Sequence, residues 1–197
     1  MKPILFNTEM VRAILDGRKT VTRRVVKGDL EGLYAGRCAL GVGMFSEKTC
    51  KRVIEPPFKV NDILYVRETW CSAYDGEKYF YLADKVTERE QRRLLDYNNV
   101  KWRPSIHMPK EAARIFLKVT GVRVERLQEI TESQAVKEGF VDDAEYCVGN
   151  SARGHFMELW NTTIKKDQLQ YYGVTANPYV WVIEFELIAD LSDEKEG

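Results

Sequence analysis

The chain has 197 residues and a mass of 22.9 kDa, which is enough to bury a hydrophobic core as one domain without disulfides or metals. Its 44% hydrophobic residues exclude a disordered chain. Its 30% charged residues, and the absence of any apolar run near about 18 residues, exclude a protein that spans a membrane with helices. The opening MKPILFNTEM turns polar before a signal-peptide core can form. We therefore expect a cytoplasmic protein that does not contact membranes.

Charge is balanced overall and uneven along the chain. Thirty basic side chains match thirty acidic ones, which argues against coating of nucleic acid by bulk phosphate attraction. Residues 1 to 60 contain 12 Lys or Arg and 6 Asp or Glu, a net charge of +6, and the remaining 18 and 24 give −6. The positive charge of the N-terminal residues is compatible with a local anion-binding site there.

Metal-binding spacing is absent from the cysteines and histidines. No CxxC motif occurs, and the two histidines are far apart in sequence. These residues are Cys38, Cys50, Cys71, Cys147, His107 and His155. We expect reduced thiols, no metal site and no cofactor.

The N-terminal third predicts a strand, a helix and then loops. Residues 3–6 are predicted to form a short strand, and Asn7 or Thr8 can cap a helix with apolar positions every three or four residues. Gly17 should end that helix. Residues 27–57 are rich in glycine and end in two prolines, which indicates a loop insertion that can include one hairpin.

The middle of the chain predicts strands around one charged helix. Segments 62–70 (DILYVRETW) and 77–83 (EKYFYLA) have strand composition, and residues 86–96 are a helical candidate with a solvated charged face. Apolar residues alternate along 115–124, and Gly121 shifts the phase of this alternation by one residue. That shift predicts a β-bulge or a bend between two strands.

The C-terminal third predicts two helices and a last strand. Thr131 to Gln134 form a capping box, so a short helix should begin there and stop at Gly139. A second helix is expected over about 151–164, a strand over 179–187, and a frayed acidic tail over 189–197. Strands without regular βαβ alternation favour an α+β fold with a small curved or closed sheet and flanking short helices.

The densest polar cluster, residues 16–24 (DGRKTVTRR), follows the first helix. In an extended segment Lys19 and Arg23 would lie on one side, and Thr22 and Arg24 on the other. In a turn, Lys19 and Thr22 can face one pocket. A basic surface turn whose cations complement the helix dipole explains the same composition.

The segment GRKTVTRR, with TESQAVKEGF and the closing strand VWVIEFEL, resembles the ASCH domain family. The family has a G-x-K-x-x-E-x-R type motif, and here Thr22 stands in place of its acidic residue. Small bacterial ASCH proteins that hydrolyse N4-acetylcytidine share G-R-K-T-x-T-x-R. The opening MKPILFNTEM and the segment DILYVRETW also look like longer, phage-associated ASCH proteins.

This resemblance implies a fold and a catalytic set. The fold would be a single PUA-like β-barrel domain over residues 1–188, with insertions near 27–57 and 72–108. The catalytic roles would fall on Lys19, Thr22 and Glu138. Thr22 can attack the acyl carbonyl, with Lys19 as the base if burial and neighbouring arginines lower its pKa. Glu138 can orient Lys19 or deliver a proton, although a glutamate at a helix end is also an ordinary surface residue.

Further positions are candidates for substrate binding. Arginines can grip a phosphate or a base edge with two hydrogen bonds, and Trp70 can stack on a base as in single-stranded RNA recognition, although a core role for Trp70 is equally simple. The candidates are Arg18, Arg23, Arg24, Arg67 and Trp70. The sequence thus predicts hydrolysis of an N4-acylated cytidine or related nucleoside. A non-catalytic module for single-stranded RNA and a metal-independent ribonuclease are the alternatives.

Overall fold

The protein is described by a computed structural model over residues 1–38, 41–73, 78–84, 101–140 and 151–188. The strands are β1 (Lys2–Leu5), β2 (Val21–Val25), β3 (Leu33–Cys38), β4 (Gly41–Ser46), β5 (Arg52–Ile54), β6 (Ile63–Arg67), β7 (Trp70–Ala73), β8 (Lys78–Tyr81), β9 (Phe116–Arg126) and β10 (Tyr179–Ile188). The α-helices are α1 (Thr8–Leu15), α2 (Glu132–Lys137), α3 (Ala152–Thr163) and α4 (Leu169–Tyr172). Single 3₁₀ turns cover Ser105–His107, Lys110–Ala112, Leu127–Glu129, Lys166–Gln168 and Val174–Ala176.

The architecture is α+β, with several sheets and few helices, as the sequence predicts. The described residues divide into two compact units. The first contains Met1–Gly17 and Ile63–Lys118 with the chain from Leu187, and the second contains Arg18–Asp62 and Val119–Glu186.

The first unit joins a parallel and an antiparallel strand pair. In it β1 runs parallel to β6, which pairs antiparallel with the beginning of β9. Helix α1 begins where the Asn7 side chain accepts a hydrogen bond from the Met10 backbone N–H. Val11 and Ile14 of this helix are buried, and Gly17 follows it with a φ of +73°. A β7–β8 hairpin pairs Trp70 with Tyr81.

The second unit contains the order β9-β10-β2, with β2 at the sheet edge. Strand β10 pairs antiparallel with β2, so that Ile183 lies beside Thr22 and Val182 beside Arg23. One face of these strands packs on α2 and α3 through a buried cluster. Its members are Val21, Leu127, Ile130, Ala135, Ala152, Phe156, Trp160, Val180 and Val182. This packing fixes the position of β2 and of the residues that precede it.

A separate antiparallel sheet, β3-β4-β5, occupies much of the segment expected to be loops with one hairpin. The hairpin is β3–β4, and β5 adds a third strand to it. Strand β4 requires glycine at position 43, because a Cβ there would lie 2.4 Å from Cδ of Arg52 on the neighbouring strand. The glycine therefore admits the Arg52 side chain against β4.

Two sequence expectations about strands are wrong in detail. Strand β9 runs unbroken through Gly121, so the alternative of two strands separated by a bend is wrong. Gly121 is needed because a Cβ there would lie 2.7 Å from Oε2 of Glu184. Segment 62–70 is not one strand either, since β6 ends at Arg67 and Trp70 begins β7.

Other expectations are confirmed or lie outside the described residues. The capping box at Thr131, the helix near 151–164 and the last strand are present, within one residue of their expected bounds at most ends. The helix expected over 86–96 and the tail 189–197 lie outside the described residues. The described strands form sheets of five, three and two strands, and closure into a PUA-like barrel stays a prediction. No helix in the described ranges has the length and apolar character that a membrane span requires.

Candidate functional site

Lys19 is held beside the end of helix α2 by backbone pairing. It forms an isolated antiparallel bridge with Glu138, and the Thr20 N–H donates to the Lys137 carbonyl at 2.9 Å. Gly139, with a φ of +101°, turns the chain directly after Glu138. The cap and turn that end α2 thus place Glu138 against the segment that leads into β2.

The Lys19 ammonium group is surrounded by oxygen acceptors. Its Nζ donates to the Val21 carbonyl at 2.7 Å, to the Glu138 carbonyl at 2.9 Å and to Glu138 Oε2 at 2.6 Å. The side chain has 0% solvent exposure. Because an ammonium group has three N–H donors, these acceptors suit its charged form.

Arg23 shares the Glu138 carboxylate with Lys19. Its Nη1 donates to Glu138 Oε1 at 3.0 Å, and its Nη2 donates to Glu125 Oε1 at 2.6 Å and to Gln134 Oε1 at 3.1 Å. Its guanidinium carbon also lies 5.8 Å from the centroid of the Phe156 ring. Arg23 is therefore a buried structural partner of Glu138, anchored between β9, α2 and α3.

The ion-pair network extends from this buried core to the surface. Arg123 Nε donates to Glu125 Oε2 at 3.0 Å and also pairs with Glu184. Side-chain exposure rises from 12% at Glu125 to 33% at Arg123 and 45% at Glu184. Sequence reasoning missed Glu125, Gln134 and Glu184, since only strand register and helix packing bring the first two beside Arg23 and Glu184 beside Arg123.

Burial lowers the pKa of the Lys19 ammonium below its ordinary value of 10.5. Glu138 acts in the opposite direction by attracting the charged form, while Arg24 and Arg23 lower the pKa further. The net direction is downward because desolvation is the largest effect. The environment therefore favours loss of the Lys19 proton more than exposure to water would.

Thr22 and Arg24 lie on the face of β2 opposite Arg23. Thr22 is buried, at 1% exposure, and within the described residues its hydroxyl forms no hydrogen bond. The Lys19 amine binds the carbonyl of the peptide that joins Val21 to Thr22. Lys19 and Glu138 are thus in direct contact, and Thr22 is one peptide unit from the amine. Convergence of the Lys19 amine and the Thr22 hydroxyl stays a prediction.

The other substrate-binding candidates have structural contacts. Arg18 Nη1 donates to the Gly139 carbonyl at 2.8 Å. In the first unit, Arg67 Nε donates to the Met108 carbonyl at 2.7 Å. Trp70 is 4% exposed and packs on Met108 and Ala112, with the Arg103 guanidinium 5.2 Å from its ring centroid. Stacking of a base on Trp70 would require this cluster to open.

A second buried carboxylate lies in the first unit, beside the candidates Arg67 and Trp70 in sequence. Glu68 accepts hydrogen bonds from Arg114 Nε at 3.0 Å and Nη2 at 3.1 Å, and Arg114 Nη1 pairs with Asp84 at 2.5 Å. Burial raises the pKa of Glu68, against the opposing effect of Arg114. This pairing supports a structural role for the charge on Glu68.

No group of three or more His, Cys, Asp or Glu side chains in the described ranges is arranged to hold a metal ion. The expectation that the protein needs neither metal nor cofactor stays a prediction.

Comparison with known proteins gives one structural similarity. No protein-family model matches the chain, and no curated protein matches it. The chain is similar to the crystal structure of protein EF3133 from Enterococcus faecalis V583, described as DUF984. The sequence identity is 12% and the TM-score 0.45, over 95% of this chain and 81% of that one.

Proposed function

We propose that the protein is an ASCH-type amidohydrolase that removes the acyl group from an N4-acylated cytidine or a related modified nucleoside. The PUA-like barrel belongs to the same proposal. The observation that carries it is the buried Lys19–Glu138 pair, whose amine is bonded to the carbonyl beside Thr22. A Lys-activated nucleophile needs an amine of lowered pKa close to a hydroxyl, and the proposal requires the Thr22 hydroxyl to reach the Lys19 amine.

The first half of the reaction transfers the acyl group to Thr22. Lys19 passes a proton to Glu138 across their 2.6 Å hydrogen bond and becomes a neutral amine. This amine takes the Thr22 hydroxyl proton while Oγ1 attacks the acyl carbon. The C–N bond then breaks, and Lys19 gives its proton to the departing N4, which leaves cytidine and an acyl-threonine ester.

The second half regenerates the enzyme with water. Lys19 removes a proton from water, the hydroxide attacks the ester carbon, and the bond to Thr22 Oγ1 breaks. Lys19 then returns the proton to Thr22, and Glu138 returns its proton to Lys19. Arg24, on the same face of β2 as Thr22, would supply positive charge for the oxyanion in both halves.

The test is single-turnover hydrolysis of N4-acetylcytidine, followed by chromatographic detection of cytidine. We expect release of cytidine by the native chain, a loss of at least about 100-fold in Thr22→Ala, and partial retention in Thr22→Ser. Thr20→Ala is the matched control. Thr20 contributes its backbone N–H to Lys137 and its carbonyl to Phe185, and both groups survive the substitution.

Two outcomes contradict the proposal. No release of cytidine from any acylated cytidine by folded native protein would overturn the hydrolase, and saturable RNA binding without turnover would then favour the non-catalytic module. Full activity in Thr22→Ala would overturn the nucleophile.

A further inference from the structure

A basic cavity lies in the second unit, and neither Lys19 nor Glu138 is among its lining residues. Its volume is about 430 Å³, within the range of small-molecule sites. It is lined by cationic side chains from β3, β5 and the segment after β5, and by apolar side chains that include Phe58 and Val122. Nothing in the proposed hydrolysis uses this cavity.

Gly43 makes room for the Arg52 side chain in this cavity. A Cβ at Gly43 would lie 2.4 Å from Cδ of Arg52, so the arginine stem lies against β4 where only glycine leaves room. A Cβ at Gly41 would lie 3.7 Å from Nη1, so the guanidinium reaches the end of β4 beside Cys38. The side chain of Arg52 is only 12% exposed. A positioned, largely buried guanidinium is a more specific feature than a charge in solvent.

Positive charge is in excess around the cavity. Arg37, Arg52 and Lys59 line it, and Glu55 is the acidic partner of two of them, at 2.5 Å from Arg52 Nη2 and 3.7 Å from Lys59 Nζ. Arg37 forms no ion pair with any residue that the structure describes. Asp62 is a second carboxylate beside the cavity, because its Oδ2 accepts a hydrogen bond from the Lys59 backbone N–H at 2.7 Å. Three cations against two carboxylates leave a local positive charge that favours an anion.

The apolar part of the lining suits an aromatic ring next to that anion. Phe58 is half-buried, and Pro56, Val42 and Val122 line the same cavity. An anion carried beside a planar ring is the chemistry of a nucleotide. We propose that the cavity is a nucleotide-binding site, with the phosphate on Arg37, Arg52 and Lys59 and the base against Phe58.

Val122, which lines the cavity, is on the same face of the β9-β10-β2 sheet as Thr22. Val122 lies on the face of β9 opposite Arg123 and Glu125, as Thr22 lies opposite Arg23 on β2. A nucleotide held there can be free or part of an RNA strand. The nucleotide site does not depend on the proposed hydrolysis, because it uses different residues.

The first experiment measures binding by isothermal titration calorimetry. Cytidine 5′-monophosphate, inorganic phosphate, cytidine and a five-nucleotide RNA are titrated separately, which distinguishes a free nucleotide from an RNA source. We expect saturable binding of the phosphorylated nucleotides, weaker binding of phosphate and cytidine, and a loss of at least about tenfold in Arg37→Ala and in Phe58→Ala. Lys48→Ala, which removes an exposed cation in the turn after β4, is the matched control.

The second experiment locates the ligand with the protein's own thiols. Cys38 lines the cavity and Cys50 does not, and both are exposed cysteines outside any disulfide in the described residues. Saturating nucleotide should slow alkylation of Cys38 at least about fivefold, measured by peptide mass spectrometry, and leave Cys50 unchanged. Equal effects on both thiols, no saturable binding up to millimolar concentration, or binding insensitive to Arg37→Ala would each overturn the proposal. Loss of acetylcytidine turnover alone would leave it standing.

Discussion

Lys19 Nζ lies 2.6 Å from Glu138 Oε2, and the two side chains have 0% and 3% exposure to solvent. Arg23 Nη1 donates to the other carboxylate oxygen at 3.0 Å, so Glu138 contacts two buried cations, of which Arg23 also pairs with Glu125. Charges removed from water to this extent are tolerated only when they are paired and hydrogen-bonded. The segment before β2 and the end of α2 are therefore joined by electrostatics as well as by backbone pairing.

Replacing Glu138 should destabilise the fold strongly. Glu138→Gln removes the carboxylate that balances the buried Lys19 cation and leaves Arg23 paired with Glu125, at a cost of about 3–5 kcal/mol in the free energy of unfolding. Urea denaturation measures this cost. Lys137→Gln, at the neighbouring exposed position, should change the same quantity by less than about 0.5 kcal/mol. Equal small effects for both variants would show that the buried pair does not stabilise the fold.

Stability should depend on pH through Lys19. Its folded-state pKa is lowered below the unfolded value near 10.5, so between these two values the unfolded chain binds more protons than the folded chain. The free energy of unfolding attributable to Lys19 therefore rises with pH in that window and is lowest below the folded pKa. Denaturation of native protein and Lys19→Met across alkaline pH should show the native protein gaining stability relative to the variant. A constant difference would contradict the lowered pKa.

The Glu68–Arg114 pair should behave in the opposite direction with pH. Burial raises the folded-state pKa of Glu68, so the folded chain binds more protons between the unfolded pKa near 4.5 and the raised value. The stability contribution of Glu68 is complete below the unfolded pKa and is lost as pH rises through the folded pKa. Thermal unfolding between pH 4 and 7 should therefore show a smaller pH dependence in Glu68→Gln. Glu111→Gln, in the same unit and exposed, is the control.

Local signals in the sequence predict the elements around the site. Asn7 caps α1, and the capping box of Thr131 and Gln134 begins α2, because a cap depends only on residues three positions apart. Alternation also predicts that Lys19 and Arg23 share one side of the chain and Thr22 the other. Each of these signals depends on residues a few positions apart, so the sequence of this chain is sufficient to predict them.

Long-range partners could not be predicted from the same signals. Arg23 looks like a substrate-binding arginine in sequence because nothing local shows that Glu125, 102 residues away, accepts its hydrogen bonds. The role of Gly121 follows from the Glu184 side chain on the neighbouring strand, whereas the phase shift alone predicts a β-bulge or a bend. Strand register determines both contacts, and register depends on the packing of the whole unit.

Arg24 should contribute to substrate affinity, independently of Arg23. It is half-buried on the face of β2 that also carries Thr22, where a charged hydrogen bond to the base or acyl oxygen would be worth about 1.5–3 kcal/mol. In a Thr22→Ala background, which should bind without turnover, Arg24→Ala should weaken binding of N4-acetylcytidine by about 10- to 150-fold. Arg18→Ala is the matched control, because Arg18 also donates to a backbone carbonyl, that of Gly139, as Arg24 does to that of Arg23, but lies outside β2. Titration calorimetry measures both dissociation constants, and unfolding curves check that both variants fold. Equal losses in the two variants would show that Arg24 does not contact the substrate.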